Sequence, residues 1–177
     1  METIELEVNI RPGVRGDLPA LEWDGEYRHF RRLYADTYFM VEKGQAVIWI
    51  AEAANEGVVG QVFVSLSGAR SELSDGLTRA YIYGFRVRPM YRSKGIGTRL
   101  LHTLEDDLVQ RNFLLANLNV GRDNHGAIRF YERMGYHIVA AEPGRWSYID
   151  DKGRRCDVCE PAWRMEKALL RTRQRED

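Results

Sequence analysis

Cysteine is nearly absent from the chain: Cys156 and Cys159 are the only two among 177 residues. A disulfide-stapled scaffold is therefore excluded. Structural zinc usually takes four ligands, and no second pair or histidine cluster accompanies this Cys-x-x-Cys, so no metal is expected. The pair lies between Asp150-Asp151-Lys152-Gly153 and Pro161, in what reads as a hairpin or loop, not at the strand-to-helix turn of a redox pair; the thiols read as structural or incidental. Net charge is missing as well. Basic and acidic side chains number 26 each, so no overall field draws the chain to nucleic acid or to an anionic membrane. No apolar run is long enough to span a bilayer, and Met1-Glu2-Thr3-Ile4-Glu5 lacks the basic-then-apolar layout of a secretion signal. A cytoplasmic location is expected.

What is present suits one globular unit over residues 1–177, with 44% apolar residues to fill a core. Near the middle, a strand-like run from Arg79 to Val87 leads into Arg88-Pro89-Met90-Tyr91, then Arg92-Ser93-Lys94-Gly95-Ile96-Gly97, then an amphipathic helix pattern. That order builds an anion site: the glycines admit close backbone approach, and the first helical amides have no intrahelical partner. The spacing narrows the ligand. A dinucleotide fingerprint needs a third glycine where Leu100 stands, and a triphosphate loop needs a longer glycine spacing followed by Lys and Ser or Thr. A short loop flanked by Arg92, Lys94 and Arg99 suits a pyrophosphate.

A second segment, Asn124 to Tyr136, reads as a helix opened by Asp123 or Asn124 and closed at Gly135. At about 100° per residue, Asn124, Ala127, Ile128 and Tyr131 share one face.

These two segments, Arg-x-x-Gly-x-Gly after Phe85-Arg86-Val87 and Asn-x-x-Ala-x-x-Phe-Tyr-x-x-x-Gly-Tyr, together resemble the GNAT superfamily of acyl-coenzyme A dependent N-acetyltransferases over roughly residues 80 to 140. The resemblance implies an α/β (α+β) fold: a mixed, mostly antiparallel sheet of roughly six or seven strands flanked by helices, with a splayed parallel pair forming the acyl-CoA cleft. It implies acetyl-CoA as co-substrate, held by Phe85, Arg86 and Val87 of the strand, by Arg92, Ser93, Lys94, Gly95, Ile96, Gly97 and Thr98 of the loop and helix start, and by Asn124 and Tyr131. Tyr131 is the expected catalytic residue, donating a proton or hydrogen bond to the departing thiolate; its alternative is a packed tyrosine, and that of Asn124 is a helix cap.

The resemblance has one departure. Some family members carry a glutamate on the cofactor strand, whereas Arg79 to Val87 contains no carboxylate. Glu52, Asp75 or a water chain are the candidates for the base; His29, His102 and His137 read as structural, and His125 as lining the cofactor rim. The reaction implied is direct acetyl transfer to a primary amine of a small molecule. The alternatives are a protein N-terminal or lysine acetyltransferase and, in another class, a non-catalytic acyl-CoA sensor; a homodimer is also compatible with the family.

The flanks supply the acceptor side, at about residues 15–45, 67–79 and 142–161. Ile4, Leu6, Val8 and Ile10 alternate as a strand ended by Pro12-Gly13. Helices opened by Asp17 or Asp24 run to Gly44, with Tyr27, Phe30, Leu33, Tyr34, Tyr38 and Val41 as either core or a wall of the acceptor pocket. The runs 46–53 and 58–66 form a hairpin, and 67–78 a loop. Tyr81, Tyr83, Phe85 and Val87 share one strand face, and Gly84 marks a bulge or close approach. Leu100, Leu101, Leu104 and Leu108 form the buried stripe of a helix with Arg99, Glu105 and Asp106 on its solvent side. The strand 114–120 follows, parallel to 79–87 by a crossover, with Asn117 and Asn119 on its polar face. Tyr136 to Ala141 and Trp163 to Lys167 are further strands, joined by a possible hairpin over the acceptor mouth containing Trp146 and Tyr148, and the tail from Arg171 to Asp177 is expected to fray.

Overall fold

The two apolar runs form a hairpin that is buried on both faces. In the computed structural model, which describes residues 6–169, they are β2 (Ala46–Ala53) and β3 (Gly57–Ser65), with Asn55 and Gly57 in the left-handed region at the turn (φ 65° and 80°). Ile4 of the expected first strand and the tail 171–177 lie outside the described residues; from Val8 to Pro12 that strand is β1, antiparallel to β2. Beyond β3 come β4 (Arg79–Val87), helix α2 (Ile96–Gln110), β5 (Leu115–Gly121), α3 (His125–Arg133) and β6 (His137–Glu142). A separate hairpin, β7 (Arg145–Ile149) and β8 (Arg155–Cys159), precedes the last strand, β9 (Ala162–Ala168).

The main sheet has seven strands in the order β1-β2-β3-β4-β5-β9-β6. Its pairings are antiparallel except β4 with β5, the mixed sheet expected from the resemblance. Two layers explain why β2 and β3 are apolar throughout. One face packs on α2, where Leu100, Leu101, Leu104 and Leu108 are fully buried; each such side chain stabilises by about 1.5–3 kcal/mol relative to exposure. The other face packs on Leu21 and Tyr34 through Ile48, Ile50 and Phe63.

Three expectations are corrected. The stretch expected to begin as helices at Asp17 or Asp24 is instead a 3-10 segment, Arg15–Gly25, broken where Trp23 and Asp24 turn left-handed, and α1 runs only from Arg31 to Glu42. Asp17 is not the N-cap but the third residue of the segment, where its buried carboxylate accepts the Val14 amide at 2.8 Å and both terminal guanidinium nitrogens of Arg11 at 2.8 Å. Glu105 is likewise buried, not solvated, because β9 brings Lys167 to within 2.9 Å and α3 brings the Tyr136 hydroxyl to 3.3 Å.

The third correction concerns β4. Between the pairs Gln61/Arg86 and Phe63/Tyr83, one residue of β3 faces two of β4, Gly84 and Phe85. Gly84 has φ 59°, and a Cβ there would lie 2.4 Å from a Phe63 ring carbon. The extra residue shifts the parity of the strand. Tyr81 and Tyr83 face the α1 side, stacked at 5.7 Å, while Phe85 and Val87 join Ile82 in the core beneath α2; the four do not share a face.

Gly84→Ala is expected to destabilise the protein by about 2 kcal/mol or more, since it meets both the positive φ and the Phe63 ring. Denaturant unfolding tests this: an unchanged midpoint would mean that the bulge is not imposed by Gly84.

Candidate active site

The bulge stands where the sheet opens. The parallel ladder pairs Arg79 with Leu115 through Ile82 with Leu118 and then ends, although β4 runs on to Val87 and β5 to Gly121. A cavity of about 210 Å³ occupies the gap, bounded by the β4 stretch from Ile82 to Arg86, the β5 stretch from Leu118 to Gly121, and Asn124 and Tyr131. Beyond Ile82 and Leu118, the facing strand edges have no ladder partner among the described residues, which leaves room for a ligand between them, although the Val87 carbonyl accepts from Arg92 and the Gly121 carbonyl from the Asn124 amide.

The N-terminus of α2 packs beside Phe85, which lines this cleft. Gly95 caps that helix in the left-handed conformation (φ 80°), and Ser93 before it is also left-handed (φ 60°). Ser93, Lys94 and Gly95 are exposed; Ile96, by contrast, is buried in the core, so only its backbone can face a ligand. Gly97 lies flat against Phe130 and Phe85, its missing Cβ 3.6 Å from the Phe130 ring, with Thr98 half-buried beside it. Arg92 donates its Nε–H to the Val87 carbonyl at 3.0 Å, tying the exposed side chain to the end of β4. Free helical amides, a left-handed cap and two cations make a fit for a pyrophosphate.

The other wall is α3. Asn124 is its N-cap, accepting from the Ala127 amide at 3.3 Å, and the same residue lines the cleft, so both roles considered for it are compatible. The helix ends in a Schellman turn: the Gly135 amide donates to the Glu132 carbonyl and the Tyr136 amide to the Tyr131 carbonyl, both at 3.0 Å, with Gly135 at φ 93°. The hydrophobic contact that accompanies this motif is Tyr131 against Tyr136, 6.0 Å between rings, and Tyr136 is anchored through its hydroxyl to buried Glu105. Tyr131 is thus oriented from behind and faces the cleft in front. Burial, with a smaller contribution from Tyr81, pushes its phenol above the ordinary range, so it stays protonated at neutral pH.

A second cavity, about 480 Å³, lies on the α1 face of β4. Phe30, Leu33, Tyr34, Phe63 and Trp146 give it apolar walls, with Arg70, Arg86, Arg145, Glu142 and Asn119 as the charged or amide groups. The β7–β8 hairpin, the one expected within 142–161, roofs it, stapled by Tyr148 and Trp146 to Phe30 at ring separations of 4.9 and 6.1 Å. The expected aromatic face of 27–41 is here both core and pocket wall: Tyr34 is buried in the cluster around Phe63 and also lines the cavity. The two cavities share Tyr83, Gly84, Arg86 and Asn119, so they meet at the bulge.

The suggested bases lie elsewhere. Glu52 binds Arg11 at 2.6 Å on the β1 side of the sheet, and Asp75 accepts the amides of Leu77, Thr78 and Arg79 and the Thr78 hydroxyl, organising the loop before β4. Burial opposes ionisation of Asp75, but these donors outweigh it and hold the carboxyl below its usual range, unsuited to accept a proton. The Arg86 side chain lies on the α1 side of β4, donating to the Tyr34 hydroxyl at 3.1 Å. His125 is exposed at the start of α3, and Cys156 and Cys159 are free thiols on β8 that line neither shared cavity. No group of three or more potential metal ligands occurs among the described residues.

Several site residues were not singled out by sequence. Glu142 is the one carboxylate lining either cavity, paired with Arg70 at 3.1 Å and Arg164 at 3.4 Å across sequence separations of 72 and 22 that leave no local signal. Asn119 had a signal, a polar position in an apolar strand; its Oδ1 is buried without a hydrogen-bond partner at the meeting point of the cavities.

The model of the acetyltransferase (GNAT) family matches residues 16–136. A curated relative, an acetyltransferase of Sodalis glossinidius, is 36% identical over 89 residues, which is 50% of this chain and 56% of that protein; the match thus spans about half the length of the relative. Among solved structures, the ribosomal-protein-S18-alanine N-acetyltransferase of Escherichia coli superposes with a TM-score of 0.70 at 19% identity over 97% of this chain and 99% of its own. NAA60 of Arabidopsis thaliana in complex with acetyl-CoA gives 0.69 at 20% over 92% and 99%, and the spermidine/spermine N-acetyltransferase of Vibrio cholerae 0.67 at 19% over 92% and 93%. At these identities the structures establish the shared fold.

Tyr131→Phe is expected to lower kcat about 10- to 100-fold and to change the affinity for the acyl donor less than threefold, the pattern of a lost proton or hydrogen-bond donor at the leaving group. Steady-state kinetics with thiol-release detection, paired with donor binding, separate the two; an unaltered kcat would reduce Tyr131 to packing.

Proposed function

The chain belongs to the acetyltransferase (GNAT) family, and from that premise we propose that it moves an acetyl group from acetyl-CoA directly to a primary amine of a small molecule. The observation that carries this reading is the meeting of the two cavities at Tyr83, Gly84, Arg86 and Asn119. A donor in the cleft and an acceptor in the roofed pocket would touch there, with no cysteine lining either cavity to carry the group between them. The donor supplies the activated acyl group; the protein supplies position, charge and proton handling.

In this reading the amides at the start of α2, with Arg92 and Lys94, bind the pyrophosphate, and the backbone of Phe85 and Val87 binds the pantetheine arm in the gap that the parallel ladder leaves. Tyr131, kept neutral by burial, gives a hydrogen bond or proton to the departing sulfur. Asn119 Oδ1 accepts an N–H of the amine and so turns the nitrogen lone pair toward the acyl carbon. The sole carboxylate of the pocket, Glu142, is engaged in ion pairs with Arg70 and Arg164 and is not assigned as a base. The amine therefore reacts as its neutral fraction, losing its proton to solvent. The roofed, aromatic-lined pocket favours a small amine over a peptide, which would need an open groove.

Thermal unfolding with acetyl-CoA, coenzyme A, NADH and ATP in parallel tests the donor assignment: the two coenzyme A species alone should raise the midpoint. Arg92→Glu and Lys94→Glu should each weaken that binding at least tenfold and leave the unliganded midpoint unmoved; a shift with NADH, or undiminished binding by both variants, would overturn the loop assignment. Coenzyme A binding without turnover on a broad amine panel would favour a sensor, and turnover confined to peptide N-termini or lysines would favour a protein acetyltransferase.

Transfer to an amine deprotonated by solvent has a kinetic signature. Log kcat/KM is expected to rise with slope one up to the acceptor's own amine pKa, the inflection moving as amines of different basicity are used. An inflection fixed near neutrality for every acceptor would reveal a protein base.

A further inference from the structure

Charge in the acceptor pocket is unbalanced in a particular way. Of its three arginines, Arg70 is neutralised by Glu142, which is further paired with Arg164 just outside. Arg86 and Arg145 have no carboxylate partner among the described residues. Arg145 is exposed at the rim, but Arg86 is half-buried on β4, where the cavities meet. A guanidinium drawn from water without a counter-ion is costly, and here the compensation is partial: the Tyr27 and Phe30 rings lie 4.2 and 5.4 Å from its carbon, and the Tyr34 hydroxyl accepts one N–H at 3.1 Å. These contacts fix the planar fork in advance and use one of its five N–H groups. The fold thus holds an oriented cation at the acceptor site with most of its donors uncommitted.

Resting on the transfer reading above, we propose that the acceptor is an amino-acid-like molecule, a carboxylate close to the primary amine on an aromatic or apolar body, and that Arg86 binds the carboxylate through a bidentate pair. The chain sets the spacing. The reacting amine belongs at Gly84 and Asn119, and Arg86 follows Gly84 by two residues through the bulge, lining the same two cavities, so the carboxylate belongs close to the amine. A polyamine fits poorly: its second ammonium would face two unpaired arginines and a carboxylate already shared by two others. The apolar body has Phe30, Leu33, Phe63 and Trp146 to pack against.

The test compares matched acceptors with the full-length protein and acetyl-CoA: phenylalanine and tryptophan against phenethylamine, tryptamine, phenylalanine amide, the aminophosphonate analogue of phenylalanine, and spermidine. The amino acids should exceed their decarboxylated partners at least 100-fold in kcat/KM. Arg86→Gln should raise the amino-acid KM at least tenfold without altering the KM for acetyl-CoA, abolishing the discrimination, and Arg86→Lys should restore part of it. Equal rates for phenylalanine and phenethylamine, preference for spermidine, preference for the phosphonate, or an equal loss on all amines in Arg86→Gln would each overturn the proposal while leaving amine acetylation standing. Binding separates the two readings from the other side. If phenylalanine raises the unfolding temperature of the coenzyme A complex, and Arg86→Gln removes that increment, the carboxylate site stands even where turnover is absent and the transfer reading has failed.

Discussion

A parallel ladder that stops after four registered pairs leaves two strand edges facing one another without ladder partners. Everything else at the site depends on that interruption. Its cause is local: the two-for-one bulge at Gly84 and Phe85 bends β4 away from β5 at the residue after Tyr83, just past the last registered pair. The same extra residue reverses which side chains face which layer, so Phe85 supports the helices on the cofactor side while Tyr83 and Arg86 serve the pocket on the other. One inserted residue opens the gap and divides its two sides.

The supports of the site are divided in the same way. On the α2 and α3 side they are hydrophobic and capped: leucines under α2, a left-handed glycine at its start, and a Schellman turn that presses Tyr131 against an anchored Tyr136. On the α1 side they are aromatic and ionic: Tyr27, Phe30 and Tyr34 around Arg86, and Arg70 and Arg164 around Glu142. The first side presents backbone amides and a neutral phenol; the second presents oriented charge. That division fits the two classes of ligand proposed, one recognised through its phosphates and amide arm, the other through a single charged group near the amine.

Much of this was legible in the residues, and the reason is that the cofactor side is built from local signals. The glycines of 95 and 97 at a helix start, Asn124 as a cap, Gly135 as a stop, the leucine stripe of α2 and the strand glycine at 84 are each short-range patterns with one physical meaning. The acceptor side was legible only in outline, as an aromatic face near 27–41 and a hairpin near 142–161. Its charges were not, because Glu142 meets Arg70 and Arg164 through folding alone. Periodicity also misled where a long-range partner intervened: Glu105 sits on the polar side of its helix by spacing but is buried by Lys167 and Tyr136, and the alternation of Tyr81, Tyr83, Phe85 and Val87 is broken by the bulge that Gly84 signalled. Asp75 looked like chemistry in sequence and proved to be loop architecture, satisfied by three amides and a hydroxyl.

The roof of the proposed acceptor pocket is a two-stranded sheet of its own, with no ladder to the seven-stranded sheet among the described residues. It is tethered at its base, where Gly144 at φ 67° passes so close to Glu160 that no side chain could stand there and the Glu160 amide donates to the Gly144 carbonyl at 2.9 Å, and at its tip by aromatic contacts to Phe30 and His29. Such a module can be exchanged over evolutionary time without reregistering a single strand of the catalytic sheet. Changes confined to β7 and β8 would redraw the pocket wall at Arg145 and Trp146 and leave Arg86 and the register of β4 untouched.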